Sequence, residues 1–234
     1  QGLPTDTATQ VFLADFNGDG RPEILFCGNN KVQVYWNDDG RFSPDNVSIV
    51  QTEGLSGEFH FGALYATAAD VDGDGRDELI VATLRGIEIR TSDDLTEVQQ
   101  FLPLKFAHSA HVGDLDGDGK PELIVSKYQE DETFNTRSAI FWNGPDGYSS
   151  DRCSWLDTMG AEGVTTGDLD GDGKPVIVFC NTMTGHAKTS PTLPSYIYFG
   201  NRDADYGVQR RQELPVGGES GECPKRDQIF FQCN

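Results

Sequence analysis

The chain has 234 residues, 36% hydrophobic and 24% charged, with 27 glycines and a net charge of −20, which supplies a sizeable core and many turns. That acidity argues against nucleic acid as a partner, whose usual footprint is a basic patch. No stretch approaches the roughly 18 apolar residues of a membrane helix, and no secretory leader stands at the start.

Taken in order, residues 1–14 predict a turn and then a strand running into an acidic turn, DFNGDGRPE at 15–23. The β-rich PEILFCGN follows, then KVQVYWNDDGRF with a hairpin turn at Asp39-Gly40, then NVSIVQTEG, making four short strands around one loop. The second unit has ALYATAAD, the turn DVDGDGRDE at 70–78, ELIVATLRG, IEIRTSDD and a strand around EVQQFLPL. The third runs HSAHVGD, DLDGDGKPE at 114–122, ELIVSKY, a polar insert QEDETFNT, SAIFWNGPDGY and RCSWLDTMG, with Asn143-Gly144 and Asp146-Gly147 in the hairpin role. The fourth gives GVTTGD, DLDGDGKPV at 168–176, VIVFCN, the insert TMTGHAKTSPTLP, SYIYFGNRDADYG and RRQELPVGG.

The acidic turn thus recurs at intervals of 55, 44 and 54 residues, the signature of a repeat protein. Repeats of about 7–57, 58–105, 106–160 and 161–216, with a diverged segment at 217–234, run on without a linker as one region. Four-stranded units of this size are the blades of a β-propeller. The expected class is therefore all-β, a propeller with four visible repeats, either complete or part of a larger propeller or assembly.

Acidic or amide side chains at positions 1, 3 and 5 of each turn, with Gly at 4 and 6, converge oxygens on one small volume. In the third turn Asp114, Asp116 and Asp118 supply carboxylates, the carbonyl of Lys120 a further oxygen, and Glu122 closes the shell. The matching groups are Asp15, Asn17, Asp19, Arg21 and Glu23; Asp70, Asp72, Asp74, Arg76 and Glu78; and Asp168, Asp170, Asp172 and Lys174. Oxygen-only ligation with this many carboxylates selects Ca2+, up to four ions in all. An EF-hand would need a bidentate Glu at position 12, where this chain has Phe26, Val81, Val125 and Phe179. The ligand positions of these turns hold 14 of the 38 acids, and four calcium ions would bring the charge from −20 to −12.

The turns, their PELIV strands and the YWNDDGRF, FWNGPDGY and YFGNRDADYG hairpins resemble FG-GAP or VCBS repeats, the calcium-binding propellers of integrin α-subunits, some fungal lectins and secreted bacterial proteins. The resemblance covers nearly the whole chain. It implies loops that join the first two strands of each blade and hold calcium through positions 1, 3, 5 and 9 and the position 7 carbonyl. Val176 replaces the position 9 acid in the fourth loop and puts its affinity in question. It also implies about seven blades for a closed ring. Leu3, Leu102 and Leu156 each sit twelve residues before a loop aspartate, so the chain opens on what reads as the tail of a preceding blade. The same rule from Leu214 predicts a fifth loop at Arg226, where none stands. A fragment, a small ring and a subunit completed by another copy all fit, with Ile229, Phe230 and Phe231 in the tail as the buried part of a cap.

Of five cysteines, Cys223 with Cys233 is the expected bridge; Cys27 and Cys180 occupy equivalent places in two repeats, too far apart to pair, and Cys153 is left over. The sequon Asn46-Val47-Ser48 and calcium loops that fill only where calcium is plentiful favour an extracellular protein, with Gln1 as a mature or excised start. His108 and His111, three apart in a strand, are expected on opposite faces and not on a shared zinc, while His60 and His186 stand alone. Tyr35, Trp36, Phe141, Trp142, Tyr198 and Phe199 recur at one hairpin position and read as blade packing, whereas Tyr148, Trp155 and Tyr206 are the candidates for stacking on sugar. No nucleophile elbow, HExxH or phosphate loop is present. The expectation is a calcium-stabilised extracellular recognition or adhesion module, not an enzyme, binding glycan or protein and able to self-associate. A subunit of an extracellular filament and a part of a polysaccharide-active enzyme are the alternatives.

Overall fold

The computed structural model describes residues 2–5, 8–28, 30–52, 63–91, 95–186, 188–189, 193–200 and 205–215. Blade one is β1 (Gln10–Ala14), β2 (Glu23–Gly28), β3 (Lys31–Tyr35) and β4 (Val47–Gln51); blade two is β5 (Ala63–Ala69), β6 (Glu78–Thr83), β7 (Gly86–Arg90) and β8 (Val98–Pro103). Blade three is β9 (Ala107–Gly113), β10 (Glu122–Lys127), β11 (Asn135–Phe141) and β12 (Cys153–Met159). Blade four is β13 (Ala161–Gly167), β14 (Val176–Asn181), β17 (Ser195–Phe199) and β18 (Arg211–Leu214), interrupted by the small hairpin β15 (Met183–Thr184) and β16 (Lys188–Thr189). Each blade is an antiparallel sheet whose strands pair in chain order. The acidic turns join the first and second strands of each blade, as the resemblance implies.

Burial explains the strand sequences. The second strands β6 and β10 are buried along their whole length, so they read as unbroken apolar runs such as ELIV rather than alternating ones. Outer strands alternate, with Val50, Leu102 and Leu156 as their inward residues. The core lies between blades. Phe16, Leu25 and Val34 meet Leu79 and Val81 at the first interface; Ile80, Ile87 and Leu102 meet Leu123 and Phe141 at the second; Ile124, Ile140 and Leu156 meet Phe179 and Tyr198 at the third. Burying each such side chain contributes about 1.5–3 kcal/mol, so these interfaces carry the fold.

The innermost strands stack along the array, β5 on β1, β9 on β5 and β13 on β9. Among the described residues no comparable packing joins blade four back to blade one. The leading face of blade one shows the consequence: Val11 and Leu13 are 60% and 63% exposed, and Leu169 at the other end is 58% exposed. Phe16 and Leu115, which hold Leu169's place in their own loops, are covered by the following blade.

The spacing of Leu3 has a structural counterpart. Tyr198 Oη donates to the carbonyl of Asp157 on β12 at 2.5 Å, and Arg90 Nη2 donates to the carbonyl of Gln51 on β4 at 3.4 Å. Tyr35, the equivalent residue of blade one, donates to the carbonyl of Pro4. Pro4 therefore occupies, against blade one, the place that the outer strand of one blade occupies against the next.

The hairpin aromatics pack between blades as expected. Tyr35, Phe141 and Tyr198 are buried, while the Trp36 and Trp142 indoles donate at 2.8 Å to Ser48 Oγ and Ser154 Oγ. Tyr148 and Tyr206 are a correction: both are 3% exposed, their hydroxyls donating at 2.8 and 2.9 Å to the carbonyls of Pro121 and Pro175, so neither presents a face to a sugar. Trp155 stays 46% exposed. The two polar inserts are also tied together, since Phe134 N donates to the Gly185 carbonyl at 2.8 Å and Gly185 N to Asn135 Oδ1 at 3.1 Å.

Gly86 marks the closest approach of strands in blade two. A Cβ there would lie 2.2 Å from the Leu102 carbonyl oxygen and 3.0 Å from Leu104 N, backbone atoms that cannot step aside. Gly86→Ala is expected to cost about 1–3 kcal/mol through overpacking, read as a lower urea midpoint with an unchanged slope.

Candidate metal centres

The four acidic turns fold alike. In each, the two glycines adopt left-handed φ values, such as 80° and 85° at Gly117 and Gly119, a conformation that residues with a Cβ rarely take. The first aspartate then accepts from both: Gly117 N lies 2.7 Å from Asp114 Oδ1 and Gly119 N 3.0 Å from Asp114 Oδ2. Asp15, Asp70 and Asp168 make the same pair of bonds. At position 3, Asn17, Asp72, Asp116 and Asp170 accept from the position 5 amide, and Asp19, Asp74, Asp118 and Asp172 accept from the amides of Arg21, Arg76, Lys120 and Lys174. Each carboxylate is thus oriented by the backbone it belongs to.

The position 9 acids lie beneath the turns. Glu23, Glu78 and Glu122 are buried, and one oxygen of each accepts from the amide of Phe16, Val71 or Leu115 at 2.9, 3.0 and 2.7 Å. Burial, reinforced by the nearby loop aspartates, pushes Glu78 and Glu122 up to about 7 and raises Glu23 as well. A buried carboxyl facing a ring of aspartates is the environment that a cation relieves.

Ligand atoms of Asp70, Asp72 and Glu78 lie within 4.8 Å of one another, as do those of Asp114, Asp116 and Glu122, and of Asp168, Asp170 and Asp172. The first turn does not gather its three acids in this way among the described residues: Asn17 takes the place of an aspartate, and its Nδ2 donates to Glu23 Oε1 at 3.2 Å. The fourth turn differs at its base. Val176 is buried without an acid, and Lys174 Nζ pairs with Asp172 Oδ2 at 2.5 Å, which holds the Asp172 carboxyl low. The donor sets fit a hard, oxygen-seeking cation. An ion would be held by the position 1, 3 and 9 acids in the second and third turns, where Asp74 and Asp118 stand outside the gathered groups, and by the position 1, 3 and 5 acids in the fourth, and would neutralise their mutual repulsion.

A family model for the FG-GAP-like repeat matches residues 15–81 and 114–179, more than half of the sequence. The chain belongs to the FG-GAP-like repeat family. No curated protein matches it. Among solved structures, BBS1N in complex with ARL6DN aligns at a TM-score of 0.54 and 16% identity, over 92% of this chain and 58% of that one. The chain thus spans under two thirds of that relative's length, and the likeness is one of fold. A Bacillus licheniformis rhamnogalacturonan lyase aligns at 0.47 and 16% identity, over 90% and 50% of the two chains. An Agrocybe aegerita lectin that recognises non-reducing terminal N-acetylglucosamine aligns at 0.44 and 15%, over 87% and 69%.

The FG-GAP-like loops are also linked to each other, which the sequence did not reveal. Asn143 Nδ2 donates to the carbonyls of Pro121 in its own loop and Val71 in the preceding one, at 3.2 and 3.0 Å. Tyr206 Oη bridges Pro175 and Leu115 in the same manner, at 2.9 and 3.4 Å. Between the first two loops Asp77, standing where the other three turns have proline, donates its amide to the Asp15 carbonyl at 2.9 Å and accepts from Asp15 N at 2.8 Å. A run of hydrogen bonds therefore passes from each loop to the next.

The histidines depart from expectation in one respect. A β-bulge between Ser126 and Lys127 shifts the register of β9 against β10, and both His108 and His111 reach blade four, at the Glu162 carbonyl (2.6 Å) and Thr166 Oγ1 (3.0 Å). They bond partners four residues apart and join no metal-type cluster among the described residues. His108 also packs between Tyr65 and Tyr128, with ring centroids at 5.1 and 5.5 Å, and burial lowers the pKa of both histidines. His186 bonds the Glu132 carbonyl, and His60 lies outside the described residues. Cys27, Cys153 and Cys180 are free thiols, the buried Cys27 pushed up to about 12. The expected Cys223–Cys233 bridge and the Ile229, Phe230 and Phe231 cap lie outside the described residues.

Proposed function

We propose that this FG-GAP-like chain is a calcium-stabilised recognition module of an extracellular protein, binding glycan or protein and performing no catalysis itself. The observation that supports this reading is the repeated loop: its acids are oriented by the same backbone bonds in every blade and gather within 4.8 Å in three of the four turns, donor sets that suit a hard cation. Calcium-dependent turns of this affinity class fill outside cells, where calcium is on the order of 1 mM. Asn46 of the sequon is exposed, as a glycan acceptor must be. The acids that could otherwise form a catalytic pair are the loop acids, and an open groove lies between blades three and four.

Binding of the chain to immobilised glycans and to cell-surface proteins, measured with calcium and with chelator, is expected to give retention only with calcium. Polysaccharide turnover with no retention would replace this reading by an enzymatic one. A structural subunit is the second reading, favoured by the exposed Val11, Leu13 and Leu169 on the two end blades. Concentration-dependent mass growth in solution, abolished by Leu13→Asp, would support that reading; a mass that stays constant would remove it.

A further inference from the structure

The links between successive acidic turns are made by a different residue type at each blade interface. Asp77 ties the second turn to the first through its backbone amide and its carboxylate, at 2.9 and 2.8 Å. Asn143 ties the third to the second through one side-chain amide, and Tyr206 ties the fourth to the third through one hydroxyl. The last two take each other's place. Gly200 follows Tyr198-Phe199 as Asn143 follows Phe141-Trp142, and a Cβ at Gly200 would lie 2.8 Å from Tyr206 Cζ and 2.9 Å from its Oη. The tyrosine hydroxyl thus fills the space into which an asparagine at 200 would project. Three chemically unrelated groups close the same gap, so the link belongs to the interface and not to one side chain.

Each link reaches the candidate ligands through one peptide. Val71 stands between Asp70 and Asp72; its amide donates to Glu78 Oε2 at 3.0 Å and its carbonyl accepts from Asn143 Nδ2 at 3.0 Å. Pro121 immediately precedes Glu122, and its carbonyl accepts from the same nitrogen at 3.2 Å. Gly144 N donates to Asn143 Oδ1 at 2.9 Å, which fixes the amide plane and leaves its two hydrogens for the two turns. Leu115 repeats the arrangement one blade on, donating from its amide to Glu122 Oε2 at 2.7 Å and accepting at its carbonyl from Tyr206 Oη at 3.4 Å. A cation that gathers Asp70, Asp72 and Glu78 would fix the Val71 peptide and, through Asn143, the Pro121–Glu122 peptide of the next turn. Part of the ordering that the third turn needs is then complete before its own ion arrives.

We propose that Asn143 and Tyr206 are positioning residues that couple neighbouring turns, so that calcium in one turn tightens the next. The proposal rests on the reading that these turns hold calcium, and adds positive cooperativity to it. Its sign separates it from plain electrostatics, since two cations on neighbouring turns repel and each would weaken the other. Calcium titration followed by NMR at the Gly75 and Gly119 amides, which donate to Asp70 and Asp114, reads the second and third turns separately. Asp116→Ala, which disables the third turn, is expected to weaken calcium at the second about 3- to 10-fold, and Asp72→Ala to weaken the third by the same factor, because coupling is reciprocal. In an Asn143→Ala background each of these substitutions is expected to leave the other turn's affinity unchanged. A merely structural asparagine would lower Tm and leave the coupling intact. Tyr206→Phe keeps the ring and deletes only the hydroxyl, so it is expected to fold and to abolish the effect of Asp170→Ala on the third turn, which keeps the proposal open to refutation if Asn143→Ala does not fold. Turns that titrate independently in the wild type, or a coupling that persists in Asn143→Ala or in Tyr206→Phe, overturns the proposal and leaves calcium binding standing. No shift at Gly75 or Gly119 at millimolar calcium overturns the calcium reading and the proposal with it.

Discussion

Chelation is expected to lower the Tm of this protein by several degrees, and added calcium to restore it. Dissociation constants of about 0.1–1 mM are usual for extracellular sites, and at calcium near ~1 mM linkage adds roughly 0.4–1.4 kcal/mol for each filled loop. Three filled loops then contribute roughly 1–4 kcal/mol, or about 3–15 °C for a domain of this size. The hydrogen bonds running from loop to loop through Asn143, Tyr206 and Asp77 make the effect felt across blade interfaces rather than within one turn. The pH dependence has a definite sign. Without calcium, Glu78 and Glu122 bind protons in the folded state up to about pH 7, while the unfolded chain releases them near 4.5. The stability this contributes is fully present below pH 4.5 and is lost as pH rises towards 7. Calcium displaces those protons, so the gap in Tm between loaded and chelated protein should widen from pH 5 to pH 7.5. Differential scanning calorimetry at the two pH values measures both effects, and a gap that narrows with pH would contradict the burial of these carboxyls.

Arg90→Ala is expected to cost about 3–5 kcal/mol, the largest effect of any single substitution here. The residue is 6% exposed, and its guanidinium donates to Glu88 Oε2 at 2.7 and 3.1 Å, to the carbonyls of Leu95 and Thr96 at 3.1 and 2.6 Å, and to that of Gln51 at 3.4 Å. Alanine would strand a buried Glu88 and leave these carbonyls without their donor. The position is the blade-two equivalent of Tyr35 and Tyr198, so the arginine takes over a tyrosine's task of holding the preceding blade's outer strand. Glu88→Leu with Arg90→Met removes both charges and should be less destabilised than Arg90→Ala alone, because no buried charge is then unpaired. Urea unfolding of the two variants measures the difference. Equal losses would show that the arginine acts through the carbonyls and not through Glu88.

The repeat architecture was legible because its signals are local. An acidic turn with two glycines and a following ELIV run needs no distant residue to declare itself, and the recurrence of both gave the blades and their strand order. The exposed faces of β1 and of the fourth loop follow from the same phase. What escaped depends on partners far away in the chain. Tyr148 and Tyr206 look like surface aromatics beside turns, yet their hydroxyls bond carbonyls 27 and 31 residues distant, in the acidic turns of their own blades. The histidine pair was misjudged because period-two alternation assumes an unbroken ladder, and the bulge at Ser126–Lys127 breaks it. The gathering of acids in three turns but not in the first turns on Asn17, where one amide in place of a carboxylate adds a donor that engages Glu23.

Counting the calcium ions bound per chain by equilibrium dialysis, on the wild type and on Asp116→Ala, tests the central claim most directly. At least three ions per wild-type chain are expected, with the variant losing the ion of its own loop. No binding at millimolar calcium, or a count unchanged by Asp116→Ala, would contradict the assignment of these turns as calcium sites.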